Sequence, residues 1–112
     1  MREIKFRGKE LETGEWVYGF LHKSGSEGQH FMIQTESGLS VKVDEETICQ
    51  YTGLKDENRV EIYEYDRVLL VSSEYTVVYF DGYYALTQDG SNHNCIHLHN
   101  GITPKILGTL FD

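Results

Sequence analysis

Apolar and polar residues alternate along most of this 112-residue chain, and that alternation limits the folds open to it. Residues 3–9, EIKFRGK, place Ile4 and Phe6 on one side and the charged residues on the other. A period of two matches a β-strand, whose successive side chains point to opposite faces, whereas a helix needs a period near 3.6. The same pattern recurs in WVYGFLH, HFMIQT and EYTVVYF. The chain is therefore predicted to be mainly β, with short antiparallel strands.

Turn residues separate these strands and indicate the architecture. Residues 66–112 contain RVLLVS, EYTVVYF, YYALTQ, NCIHLH and KILGTLF, with turn signals such as Asp81-Gly82 between them. Five short strands at this spacing predict an SH3-like small barrel. Residues 1–50 are predicted to form a β-hairpin-rich half, in which Asp44 caps a helical turn at DEET. Residues 51–65 are predicted to be a connecting turn segment within one domain spanning residues 1–112.

The charge balance and the cysteine count exclude several classes of protein. Ten basic against 18 acidic residues give a formal net charge of −8, which disfavours binding to phosphate backbones. No leader pattern opens the chain, and no apolar run is long enough to cross a bilayer. Cys49 and Cys95 are too few for a disulfide framework, so we expect reduced thiols and a cytoplasmic location.

Residues 91–100, SNHNCIHLHN, concentrate side chains that can bind metals. On a strand, four of them share one face: His93, Cys95, His97 and His99. Residues four apart lie about 13 Å from each other, so one ion can collect only two neighbours, such as His97 and His99. The pattern instead favours the solvent-exposed face of a strand whose Ile96 and Leu98 enter the core. We therefore predict no cofactor and no metal site. The alternative is a structural or adventitious metal, for which the candidate ligands are His97, His99, His93 and Cys95.

Cations in the first strand stand beside aromatic residues in the second, as they do in proteins that bind single-stranded nucleic acid. The residues are Lys5, Arg7, Lys9, Trp16 and Tyr18. Glutamates before and after them dilute this positive charge. We expect Trp16 and Tyr18 to pack on Ile4 and Phe6 while the cations stay exposed, and we expect no nucleic-acid partner.

Catalytic patterns are absent from the sequence. No G-x-S-x-G nucleophile motif occurs, and Cys95 with His97 is the closest approach to an activated thiol. Neighbouring carboxylates such as Glu45 and Glu46 are typical of solvated loops. We predict that the protein is not an enzyme and assign it no catalytic residues.

Tyrosine is frequent, with eight residues, and suits binding surfaces because its ring is large, rigid and amphipathic. Ordinary packing inside a small barrel is the alternative. Many short strands also leave sheet edges that need cover, which favours a homo-oligomer. The candidate binding-surface residues are Tyr65, Tyr75, Tyr79, Tyr83 and Tyr84.

The segment at residues 43–71 resembles the YopX family of bacteriophage and prophage proteins. That family's pattern runs approximately TG-x-x-D and then G-x-x-I-Y-E-G-D-x-V, and here QYTGLKD, EIYE, Asp66 and Val68 match it. The stretches REIKFRGK, TGEWVYG and KILGTLF also look like the family, so the resemblance covers nearly the whole chain. It implies an accessory protein in the cytoplasm of a bacterial host, and it supplies no biochemical activity.

Two residues depart from the family pattern. Arg59 and Tyr65 stand where glycine is usual. If those glycines adopt positive φ, Tyr65 either carries strain on the order of 1 kcal/mol or takes another turn. A second interpretation is that Tyr65 adds a contact at an exposed corner.

Three classes of function remain open. The favoured one is a non-catalytic interaction module for an unidentified host or phage protein. The alternative is a small-molecule or nucleotide binder with a site between subunits, lined by His93, His97 or His99. An enzyme is the least favoured, because no catalytic constellation can be assembled.

Overall fold

The structure is a computed structural model that describes residues 3–25, 29–90 and 95–112, and strands dominate it. The prediction of a mainly-β, antiparallel protein is confirmed. The chain divides into two compact units, Met1–Tyr51 and Thr52–Asp112. The strands of the described residues are β1 Phe6–Lys9, β2 Trp16–Ser24, β3 His30–Gln34, β4 Ser40–Lys42, β5 Cys49–Lys55, β6 Glu61–Tyr63, β7 Asp66–Leu70, β8 Ser73–Phe80, β9 Tyr83–Thr87, β10 Ile96–His97 and β11 Lys105–Thr109.

The first unit is a curled antiparallel sheet in the order β4-β3-β2-β1, with the start of β5 beside β1. After β4 the chain returns to the end of β1. There Glu10 and Val43 form an antiparallel bridge, and Asp44 N donates to Lys9 O at 2.8 Å. Ile33 and Val43 are buried on the inner face of this sheet. The curl thus gives the unit a core without a second layer.

One prediction for the first strand is wrong. Ile4 was expected on the core side, yet it lies before β1 and is 63% exposed, whereas Arg7 is only 5% exposed. The guanidinium of Arg7 lies 4.5 Å from the centre of the Trp16 ring. A guanidinium stacked on an indole keeps a favourable cation–π interaction when it is removed from water. The alternation of residue types alone does not reveal such a partner.

The predicted helical turn is present as a single 3-10 turn, Glu45–Thr47. Asp44 caps it, because its Oδ1 accepts from Glu46 N at 3.1 Å. Thr47 then fixes the turn to β1, where its Oγ1 accepts from Lys9 N at 2.8 Å. No helix in residues 3–25, 29–90 or 95–112 has the length and apolar character needed to cross a membrane.

The second unit contains the five strands expected in residues 66–112, in the sheet order β10-β9-β8-β7-β11. Its core is built from alternate residues of these strands and of the segments beside them: Ile62, Val68, Val77, Tyr84, Leu86 and Leu98. β10 and β11 lie at opposite ends of the described pairing. Closure into an SH3-like barrel therefore stays a prediction.

The segment 51–65 was predicted to be turns, but it contains most of β5 and all of β6. Thr52 and Gly53 suggested a turn, yet Gly53 has a φ of 86° inside β5. Thr52 Oγ1 donates to Ile62 O at 2.8 Å and accepts from Leu54 N at 3.2 Å. These bonds hold the strand where the glycine interrupts it.

Candidate functional site

The histidine segment alternates as predicted. Ile96 packs against the core and Leu98 is buried within it, while His97 and His99 are exposed. β10 itself holds only two residues, and Leu98 N extends its pairing by donating to Tyr84 O at 2.9 Å. His93 lies outside the described residues. His97 and His99 therefore lie on the solvent-exposed face of this segment, and its other face packs against the core.

Tyr83 links the thiol to the imidazoles of this face. Its Oη lies 3.9 Å from Cys95 Sγ, and its ring centre lies 4.7 Å from that of His97. The hydrogen bond with Cys95, then desolvation and nearby negative charge, raise the pKa of Tyr83 above its ordinary value. Because the phenol keeps its proton at neutral pH, it is not a base that could activate the thiol.

His97 and His99 are not arranged to share a metal ion. Their ring centres are 6.4 Å apart and the rings are nearly perpendicular. His99 Nδ1 accepts from Gly101 N at 3.0 Å, so in the neutral ring the proton sits on Nε2 and no free lone pair faces solvent. Within the described parts of the chain, no three His, Cys, Asp or Glu side chains come together as metal ligands.

The five candidate tyrosines do not form one surface. Tyr84 is 7% exposed and belongs to the core, and Tyr75 packs against that core. Tyr79 pairs with Tyr84 across β8 and β9, with ring centres 5.1 Å apart, but is itself half exposed. Tyr83 lies on the opposite face of β9, because neighbours on a strand point to opposite sides. Strand register, which tyrosine content does not reveal, thus places Tyr84 in the core and Tyr83 on the other face of β9.

The cations and aromatics of the first unit share one face, contrary to the expected packing of Trp16 and Tyr18 on Ile4 and Phe6. Register pairs Arg7 with Tyr18 and Lys9 with Trp16 across β1 and β2. The Lys9 ammonium lies 5.3 Å from the Trp16 ring centre, and that of Lys5 lies 5.6 Å from the Tyr51 ring centre. These cation–π contacts hold the cations against the protein's own rings.

Both residues that replace the family's glycines adopt positive φ. Arg59 has a φ of 66° and Tyr65 a φ of 68°. The ring of Tyr65 is half-buried and meets Phe111 edge-on, with centres 6.0 Å apart. Such an aromatic pair is worth about 0.5–1.5 kcal/mol, which offsets the cost of the backbone conformation. Tyr65 thus adopts the strained conformation considered from the sequence, and its ring contact is to Phe111 of the same chain.

Val71 is a feature that the sequence analysis missed. It was assigned to a strand, yet it occupies the two-residue turn between β7 and β8 with a φ of 60° and 93% exposure. Ser72, the next residue, does not have positive φ. Positive φ at the first turn residue alone is the type II′ pattern, which glycine dominates. A two-residue spacing between RVLL and the next alternating run was the available signal.

No curated protein matches the chain. The family model described as "YopX protein" matches residues 5–111, from just before β1 to beyond β11. Since that match covers essentially the whole sequence, the chain belongs to the YopX protein family.

Proposed function

We propose that this protein is a non-catalytic protein-binding module and that Val71 is the centre of its contact surface. The observation that supports this is a β-branched residue held at positive φ on a turn where it is 93% exposed. A β-branched side chain in this region is a backbone outlier that costs on the order of 1 kcal/mol or more. At this exposure the side chain gains almost nothing from burial to offset that cost. Strain of this kind clusters at functional sites.

The surroundings of Val71 suggest the partner's chemistry. The turn lies at the end of the sheet where β11 begins, since Lys105 pairs with Leu69. The β5–β6 turn reaches the same end, because Glu57 N donates to Pro104 O at 3.1 Å. We define the tip surface as four exposed residues of these three segments: Arg59, Val60, Val71 and Lys105. Glu57 is also exposed, on the same turn as Arg59. Two valines, with two cations against the one carboxylate of Glu57, suit an acidic protein surface with an apolar pocket.

The proposal that the module has no catalytic activity draws on the exposed histidine face. Cys95 contacts the protonated phenol of Tyr83, and His99 uses Nδ1 to accept from the backbone. Nucleophilic catalysis by a thiol needs a neighbouring base in hydrogen-bond contact. Tyr83, which contacts Cys95, does not serve as that base, because its raised pKa keeps the phenol protonated.

Replacing Val71 with glycine is expected to stabilise the fold by about 1 kcal/mol and to abolish partner binding. Stability is measured by urea denaturation, and binding by capture from bacterial lysate followed by mass spectrometry of stoichiometric partners. Leu39→Ser is the matched control, because Leu39 is another exposed apolar residue in a turn of the first unit. A partner protein kept by the Leu39 variant and lost by the Val71 variant supports the proposal. Equal capture by both variants contradicts it.

We further propose that the protein acts in the bacterial cytoplasm, in a phage or prophage context, as a homo-oligomer. The support for self-association is the outer edge of β10. His97 and Ala85 form the pair between Ile96–Leu86 and the Leu98–Tyr84 hydrogen bond, so the peptide groups of His97 point away from β9. Open strand edges favour pairing with another chain.

Multi-angle light scattering on the purified chain is expected to give a mass of at least twice 12.9 kDa. N-methylation of the His97 amide by chemical synthesis removes the outward donor without changing the side chain, and is expected to shift the mass towards the monomer. A monomeric mass for the unmodified chain at high concentration would reject self-association.

A further inference from the structure

A cavity of about 290 Å³ opens in the first unit where the chain after β4 returns to β1. Its apolar lining comes from Leu11, Phe31 and Val43. Val43 is buried and Phe31 half-buried, but Leu11 is exposed beside the opening. Small-molecule sites are concave and have volumes of about 300–1,000 Å³, and this cavity lies just below that range. The cavity therefore suits a ligand about the size of one amino acid.

Opposite charges line the same cavity without neutralising each other. Lys23 contributes an ammonium group that lies 4.7 Å from the centre of the Phe31 ring. Asp44 and Glu45 contribute carboxylates. Among the described residues, no ion pair within 4.0 Å joins Lys23 to either carboxylate. The lining is therefore complementary in charge to a ligand that carries both an ammonium and a carboxylate.

The two carboxylates differ in their hydrogen bonds. Asp44 Oδ1 already accepts from Glu46 N as the cap of the 3-10 turn. Glu45 is exposed at the first position of that turn and has no such structural bond among the described contacts. Glu45 is therefore the group available to a ligand's cation, and Lys23 the group available to its anion.

We propose that this cavity binds a small zwitterion of the apolar α-amino acid class. The ligand's carboxylate contacts Lys23, its ammonium contacts Glu45, and its side group covers Leu11, Phe31 and Val43. Apolar contact with a few convergent charged groups is the usual composition of small-molecule sites. The site lies within the first unit and is independent of the tip surface.

Calorimetric titration of the full chain with L-leucine tests the proposal. We expect saturable one-site binding with a Kd in roughly the micromolar to millimolar range. Lys23→Met and Glu45→Gln are each expected to weaken it about tenfold, because each removes one charge-assisted contact. Glu46→Gln is the matched control, since Glu46 is the next exposed carboxylate of the same turn and does not line the cavity. It is expected to leave the Kd unchanged.

Two analogues of leucine test which charged group of the ligand each side chain contacts. Leucinamide lacks the carboxylate, so its weaker binding should be insensitive to Lys23→Met. 4-Methylpentanoate lacks the ammonium, so its binding should be insensitive to Glu45→Gln. Absence of saturable binding of L-leucine overturns the proposal. An equal loss of affinity in the Glu45 and Glu46 variants also overturns it, since that result would reflect net charge rather than a site.

Discussion

Replacing Gly19 with alanine is expected to destabilise the first unit by about 3 kcal/mol or more. Gly19 lies within β2, where the neighbouring β3 backbone approaches it closely. A Cβ at this position would overlap Gln34 O, and it would lie 2.8 Å from Gln34 C and 3.2 Å from Thr35 Cα. These are backbone atoms, so no side-chain rotation can relieve the overlap. The two strands would have to separate beside the paired residues Phe20 and Gln34.

Urea denaturation of the two variants Gly19→Ala and Gly14→Ala measures this effect. Gly14 also has positive φ, at 73°, but a Cβ there meets no atom within 4 Å. Its substitution is therefore expected to cost only about 1 kcal/mol, through backbone conformation alone. If the two variants lose the same stability, the close approach of the β3 backbone does not explain why glycine is needed at position 19.

The alternation of residue types was enough to predict the strands, because burial on one face imposes a period of two. It predicted the five strands after residue 66 and the inward placement of Ile96 and Leu98. The cap at Asp44 was also predictable, since its mechanism is local. Contacts between side chains on neighbouring strands depend on register and were not predictable. Arg7 is buried because Trp16 lies diagonally across β1 and β2, and no sequence spacing encodes that contact.

The turns show the same division between local and non-local causes. Asp81-Gly82 has the composition of a hairpin turn, and both residues have positive φ as that turn requires. Val71 and Arg59 have no such composition, so their positive φ is imposed by the strands that they connect. The cavity beside Leu11 depends on the return of residues 43–44 to β1, which is a tertiary contact. The cavity is therefore a part of the molecule that sequence reasoning could not reach, whereas the turn at Val71 left only the spacing of its strands as a signal.

Asp56 holds together the β5–β6 turn and the edge strand β11, and its replacement by alanine is expected to cost about 3 kcal/mol. The side chain is 5% exposed. Its Oδ1 accepts from Asn58 N and Val60 N, each at 2.8 Å, and its Oδ2 accepts from Ile106 N at 3.3 Å. Alanine would leave three backbone donors without this acceptor. Buried or partly buried donors left unsatisfied cost more than the hydrogen bond itself gains.

Two further variants separate this explanation from simple loss of charge or bulk. Asp56→Asn keeps one acceptor oxygen in nearly the same shape, so we expect it to lose roughly half as much stability as alanine. Glu57→Ala removes an exposed carboxylate one residue away and is expected to change stability by less than about 0.5 kcal/mol. We expect urea denaturation to give the lowest free energy of unfolding for Asp56→Ala and an intermediate value for Asp56→Asn. The value for Glu57→Ala is expected to be close to that of the unmodified protein. An Asp56→Ala variant as stable as Glu57→Ala would mean that the edge strand does not depend on this carboxylate.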